Sequence, residues 1–259
     1  MKDHIISELL KLEKEKEIKI LYAVESGSRA WGFASTDSDW DVRFIYIHKP
    51  NWYLSIDKKR DTIEKMLPND LDLSGWELQK ALRLFRKSNP PLLEWLGSPM
   101  IYLEQFSTIE SMRKLASDYF SVKSCMHHYL SMAGGNYREY LKVDMVKVKK
   151  YFYVLRPVLA CKWIARTNTV APVEFAKLLD AELPEGEVRE EIDRLLVKKK
   201  AGTEMDREPK IEAINRFLEQ EINYYNEAVK KIEKHDIPPT ETLNAFFRSA
   251  LEEVWNFKV

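Results

Sequence analysis

The sequence predicts an α+β protein, with strands and helices interleaved over residues 1–103 and helices alone over residues 104–259. Three observations carry this. Short apolar runs rich in β-branched and aromatic residues, at 18–24 and 40–47, have strand character. Turn material separates them, including Gly27-Ser28 and Asp37-Ser38. From residue 104 the apolar residues recur every three or four positions.

The elements follow in order. Ile5, Ile6, Leu9, Leu10 and Leu12 fall on one side of a helix over 2–16. The first strand, 18–24, ends at Gly27-Ser28, and a short helix follows. The second strand, 40–47, is closed by Pro50. A third strand is expected over 58–66. A fourth, over 70–73, hands over to a helix near Trp76, in which Leu78, Leu82 and Phe85 keep helical spacing. Asn89-Pro90-Pro91 stops that helix, and 92–96 forms a helical turn. Farther on, Ile211, Ile214, Leu218, Ile222, Tyr225, Val229 and Ile232 make one apolar stripe over 210–234. Thr240 is the expected N-cap of a last helix running to Trp255.

Composition narrows the function. The 41 basic and 41 acidic residues cancel, which argues against a wholly basic duplex-binding surface but leaves room for a local basic groove. Cys125 and Cys161 form no Cys-x-x-Cys pair, and the five histidines show no metal-ligand spacing. Both thiols are expected to be reduced and partly buried. The charged N-terminus does not read as a signal peptide, and no apolar run approaches the ~20 residues that span a bilayer. The expectation is a cytoplasmic protein with no membrane association.

The chemistry concentrates in residues 25–44. Gly27-Ser28 follows a strand, and ten residues separate it from Asp39-Trp40-Asp41, which opens the next strand. Phosphoryl transfer needs backbone N–H groups that grip phosphate, and a Gly turn entering a helix supplies them. It also needs carboxylates that hold divalent cations, for which magnesium has a preference. Residues i and i+2 on a strand share a face, so Asp39 and Asp41 project together, with Trp40 opposite. Paired carboxylates repel unless cations lie between them, and two metal ions could bridge them to a triphosphate. Asp37 is expected in the entering turn.

This stretch resembles the signature of the polymerase-beta nucleotidyltransferase superfamily. Gly27-Ser28-Arg29-Ala30-Trp31-Gly32-Phe33, Gly75-Trp76-Glu77-Leu78-Gln79-Lys80, Ser88-Asn89-Pro90 with Glu94-Trp95-Leu96, Lys149-Lys150-Tyr151-Phe152-Tyr153 and Arg156-Pro157 are more narrowly similar to the YcgL-like predicted nucleotidyltransferases. That family is also described as RNA repair pathway polymerase-beta-like proteins. The resemblance spans about residues 20–180. It implies a mixed sheet with flanking helices, a nucleoside triphosphate donor and Mg2+ as cofactor, as two ions, with Mn2+ as a substitute. It implies RNA, with a damaged tRNA end as the case in view, as acceptor. It places a third metal-binding carboxylate at Asp72, with Asp70 as runner-up; Asp72 would also serve as general base.

Arg29 is a candidate phosphate contact, and Trp31 reads as a packing residue. Glu94 is expected to be structural, bonded to backbone N–H groups near Asn89. Lys142, Lys147, Lys149, Lys150, Arg156, Lys162 and Arg166 make the segment 142–166 basic, against Asp144 alone. On a helix Lys149, Tyr153 and Arg156 share a face that could close over a nucleotide or hold a polynucleotide backbone; a solvated basic helix is the alternative. Pro157 should kink or interrupt that helix. Lys198-Lys199-Lys200 and His127-His128 read as ordinary surface and helix residues. Acceptors other than RNA stay open: a small molecule, or a protein hydroxyl as in antitoxin-type enzymes. So does a catalytically silent module that binds a protein partner.

Overall fold

Two adjacent strands, each largely buried, organise the molecule. In the computed structural model, which describes residues 1–202, 207–233 and 235–257, β1 (Ile18–Glu25) and β2 (Trp40–His48) pair antiparallel at the centre of a five-stranded sheet. Both are apolar on both faces, as central strands must be when helices cover each side. β3 (Thr62–Leu67) and β4 (Leu71–Glu77) form a hairpin, and β5 (Ile101–Glu104) completes the order β3-β4-β2-β1-β5. The β2–β4 pairing is parallel and the others are antiparallel, so the sheet is mixed.

Helix α1 (Lys2–Lys16) buries Ile5, Leu9 and Leu12 against Ile20, Val42, Phe44 and Leu73 on one sheet face. The opposite face, with Leu21, Val24, Ile45 and Ile47, is covered by α4 (Leu78–Phe85), α5 (Pro90–Leu96), α6 (Thr108–Tyr119) and α12 (Thr240–Trp255). A second apolar core joins α7 (Val122–Asn136), α8 (Val148–Thr167), α9 (Phe175–Glu182), α10 (Glu187–Lys200) and α11 (Glu212–Ala228). The sheet ends near residue 103, while α6 and α12 pack on the sheet side of the molecule.

Several elements differ from expectation. β4 runs on to Glu77, because its ladder with β2 continues from Trp40↔Leu71 to Tyr46↔Glu77. Gly75 makes this packing work: a Cβ there would lie 2.2 Å from the Phe44 ring. Trp76 is therefore a strand residue, stacked on Trp95 with centroids 3.8 Å apart. Glu77 then caps α4, accepting from the backbone N–H groups of Gln79 and Lys80. Pro50 opens a short helix, α3 (Pro50–Tyr53), rather than merely ending a strand. Asn89-Pro90 starts α5, with Asn89 Oδ1 accepting from Leu92 N. Thr240 is the first residue of α12; its Oγ1 accepts from Arg86 instead of capping.

The part beyond residue 104 is not wholly helical. β6 (Met145–Lys147) pairs with β7 (Arg207–Pro209). Three residues are too few to show a period of two. α8 runs unbroken through Pro157. The carbonyl that a residue-157 N–H would have bonded is Tyr153 O, which instead receives the Asn136 side chain at 3.5 Å. Lys234, at the end of the predicted stripe, lies outside the described residues. Both cysteines are buried free thiols. Among the described residues no helix is long and apolar enough to cross a membrane.

Candidate active site

Strand parity and strand pairing together assemble the acidic residues. Asp41 on β2 stands directly opposite Asp72 on the parallel neighbour β4. Asp39 precedes β2 by one residue and is exposed beside Asp41. Asp70, the runner-up, sits in the β3–β4 turn with φ 53°, where its carbonyl accepts from Trp40 N. The turn takes Asp70 out of the strand and leaves Asp72 as the partner of Asp41.

Arg43 is one residue the sequence reading missed. It lies two positions past Asp41, on the same strand face. Its Nη2 donates to Asp41 Oδ1 at 2.8 Å and reaches Asp72 Oδ2 at 2.9 Å. Its Nη1 donates to the carbonyls of Val42 and Asp72, each at 3.2 Å. A guanidinium thus lies between two carboxylates that would otherwise repel. Burial pushes the Asp41 carboxyl above the usual aspartate range; Asp72 and Asp39 add to this, and Arg43 opposes it. We predict that Arg43→Gln lowers stability by about 1.5–3 kcal/mol without divalent cation, the scale of hydrogen bonds to charged groups. Urea unfolding of both forms in the presence of a chelator will show the loss.

A second buried acid holds the same strand. Glu25, at the end of β1, accepts from Asp41 N at 2.9 Å and from Tyr102 Oη at 2.6 Å. Its only sequence signal is an acidic residue ending an otherwise apolar run. Burial raises its carboxyl above the ordinary range, and its hydrogen bonds work against that.

Gly27 opens α2 (Gly27–Ala30) with φ +58°, and a Cβ built on it would lie 2.2 Å from Asp41 Oδ2. Only glycine lets this backbone rest against the carboxylate. Gly27→Ala should therefore displace Asp41, adding about 1–2 kcal/mol of left-handed backbone strain. Urea unfolding should show the loss of stability.

Two cavities open on this cluster. One, of about 370 Å³, is lined by Gly27, Ser28, Asp39, Asp41, Lys149 and Lys199, among others. The other, of about 320 Å³, runs from Gly27 and Asp41 past Trp31 to Glu94, Trp95 and Arg156. Tyr153 lines both. The structure therefore brings Gly27, Ser28, Asp39, Asp41, Lys149 and Tyr153 together.

Arg29 is used otherwise, while Arg156 lines the second cavity and is paired with Glu94. Arg29 donates to the carbonyls of Ser38 and Asp39, at 2.6 and 3.0 Å, and lies 3.7 Å over the Trp40 ring. It fixes the loop that presents Asp39 and lines neither cavity. Arg156 is buried and paired with Glu94, which also accepts from Tyr129 Oη at 2.8 Å. Glu94 is thus bonded to side chains, not to backbone near Asn89. Lys199, expected on a solvated surface, is buried on the cleft, 3.5 Å from Ser38 Oγ. Nothing in the helical spacing of α10 distinguishes it from its neighbours.

The donor chemistry suits a hard cation. Among the described residues no three His, Cys, Asp or Glu side chains form a ready-made cage. Magnesium does not need one, since it takes one or two carboxylates and completes its shell with water and substrate phosphate.

The model of the RNA repair pathway DNA polymerase beta family matches residues 1–249. The chain belongs to that family. Among its relatives is the uncharacterized protein YcgL of Bacillus subtilis (strain 168), 49% identical over 255 residues and 98% of each chain. A solved nucleotidyltransferase-like protein from Exiguobacterium sibiricum 255-15 aligns over 85% of this chain and 78% of its own. Its TM-score is 0.32 at 11% identity, too low to equate the folds. Gly27, Ser28, Asp39 and Asp41, the residues of the Gly-Ser and Asp-x-Asp pattern, line one cavity.

Proposed function

We propose that this protein transfers a nucleoside monophosphate from a nucleoside triphosphate to a hydroxyl acceptor, with an RNA end as that acceptor. The observation that carries the proposal is the pairing of Asp41 with Asp72 on parallel strands, with Gly27 packed on the Asp41 carboxylate.

Asp39, Asp41 and Asp72 would hold Mg2+, or Mn2+ in its place. The cation would neutralise charge that builds on the reacting phosphate and on the departing pyrophosphate. Gly27 and Ser28 form the side of the cleft where the β- and γ-phosphates belong, and Lys149 and Lys199 add positive charge to the same cavity. Asp72 is the group to accept the proton of the attacking hydroxyl. Glu25, Arg29 and Arg43 hold the acidic residues in place, so catalysis would draw mainly on positioning and electrostatics.

Incubation with labelled nucleoside triphosphates, Mg2+ and total RNA tests this. Label on RNA, with pyrophosphate released, supports the whole proposal. Label only on this chain or on another protein would move the acceptor to a protein hydroxyl. Absence of pyrophosphate release with every acceptor class overturns the enzymatic reading.

A further inference from the structure

The two cavities differ in chemistry although both begin at Gly27 and Asp41. The first carries Ser28, Lys149 and Lys199 and suits phosphate. The second is walled by Trp31, Trp95, Tyr129, Met132 and Tyr153, with Glu94 among them. Its volume of about 320 Å³ falls at the small end of ligand pockets, which are mostly apolar with a few fixed polar groups. Met132 and Tyr153 are 40% and 37% exposed, large side chains left at its mouth.

Glu94 is the fixed polar group. Tyr129 Oη and Arg156 Nη1 both donate to its Oε1. Those bonds set the carboxylate's orientation, and Oε2 has no hydrogen-bond partner among the described residues. Nearby, Arg156 Nε is buried without a partner, so hydrogen bonding along this wall is incomplete. Arg156 also lies 4.9 Å from the Trp31 ring centroid, which fixes one aromatic wall.

We infer that this second chamber binds a nucleobase and that Glu94 Oε2 selects bases bearing an exocyclic amine. An ionised carboxylate only accepts hydrogen bonds, and aromatic side chains stack on any base. A carboxylate reading an amine edge contributes discrimination among bases. The inference rests on the nucleotide-transfer reading above. The base belongs either to the triphosphate donor or to the last nucleoside of the acceptor.

Equilibrium binding by the full chain tests it. The probes are ATP, CTP, GTP and UTP, short single-stranded RNAs differing in their 3′-terminal base, and inorganic tripolyphosphate, all with Mg2+. Wild type should favour amine-bearing bases over uracil by about 10-fold or more, the scale of one good base contact. Glu94→Gln should erase that preference and leave tripolyphosphate affinity unchanged. Preference among free triphosphates assigns the chamber to the donor, and preference only among RNA ends assigns it to the acceptor; both support the chamber.

Glu94→Gln also alters a buried pair, so Met132→Trp serves as a second variant. It adds bulk to the chamber wall while leaving the Glu94 and Arg156 side chains themselves unchanged, and should weaken nucleotide binding while sparing tripolyphosphate. Tripolyphosphate binding without base preference in wild type, or an unchanged preference in Glu94→Gln together with unchanged nucleotide affinity in Met132→Trp, overturns the chamber and leaves the transfer reading standing. Loss of all binding, tripolyphosphate included, overturns both.

Discussion

Asp41→Asn is expected to reduce nucleotide transfer by at least about 10²-fold, the scale on which loss of one preorganised electrostatic partner is felt. Asp41 is where the site's constraints meet. Gly27 rests on one of its carboxylate oxygens, Arg43 holds the other, and Glu25 holds its backbone N–H. The amide is nearly isosteric and keeps an oxygen that can accept from Arg43, so the sheet should remain intact. What disappears is the negative charge facing both cavities. Urea unfolding should therefore move little, and pyrophosphate release should collapse. Asp72→Asn should behave alike, because Asp72 shares Arg43 with Asp41. Full activity in either variant would remove the assignment of that carboxylate.

The acidic pair was legible because strand alternation is a local rule: Asp39 and Asp41 declare a shared face within three residues of sequence. Asp72 was legible only through family resemblance, since nothing local says that β4 pairs with β2 in parallel. Arg43 obeys the same parity as Asp41, yet a basic residue in an apolar strand reads as a solvent-facing exception until its partners are known. Glu94 and Arg156 lie 62 positions apart, and the buried pair between them is a product of tertiary packing alone. Lys149 and Tyr153 were readable from helical spacing. Arg156 fits the same spacing, but its stretch of α8 is buried on more than one side, so it lines the second cavity while also pairing with Glu94. Short strands such as β6 and β7 carry too few residues for any period to emerge.

The largest effect on stability is expected from Arg156→Met. Arg156 is 2% exposed and Glu94 13%, so bulk water screens the pair only weakly. Removing the cation leaves the Glu94 carboxylate buried with only Tyr129 Oη donating to it. It also frees the Val173 carbonyl, which accepts from Arg156 Nη2 at 3.3 Å. Breaking a buried pair from one side typically costs about 3–5 kcal/mol, because the surviving charge has lost both solvent and partner. Methionine fills much of the volume and can still lie against Trp31, so the loss should be electrostatic rather than a cavity effect. The double variant Glu94→Gln/Arg156→Met separates the two causes. With no orphaned charge left it should recover most of the lost stability, as buried pairs replaced together often do. Urea midpoints of the wild type, both single variants and the double variant decide the matter. If the double variant is as unstable as Arg156→Met alone, packing and not charge holds α5 to α8.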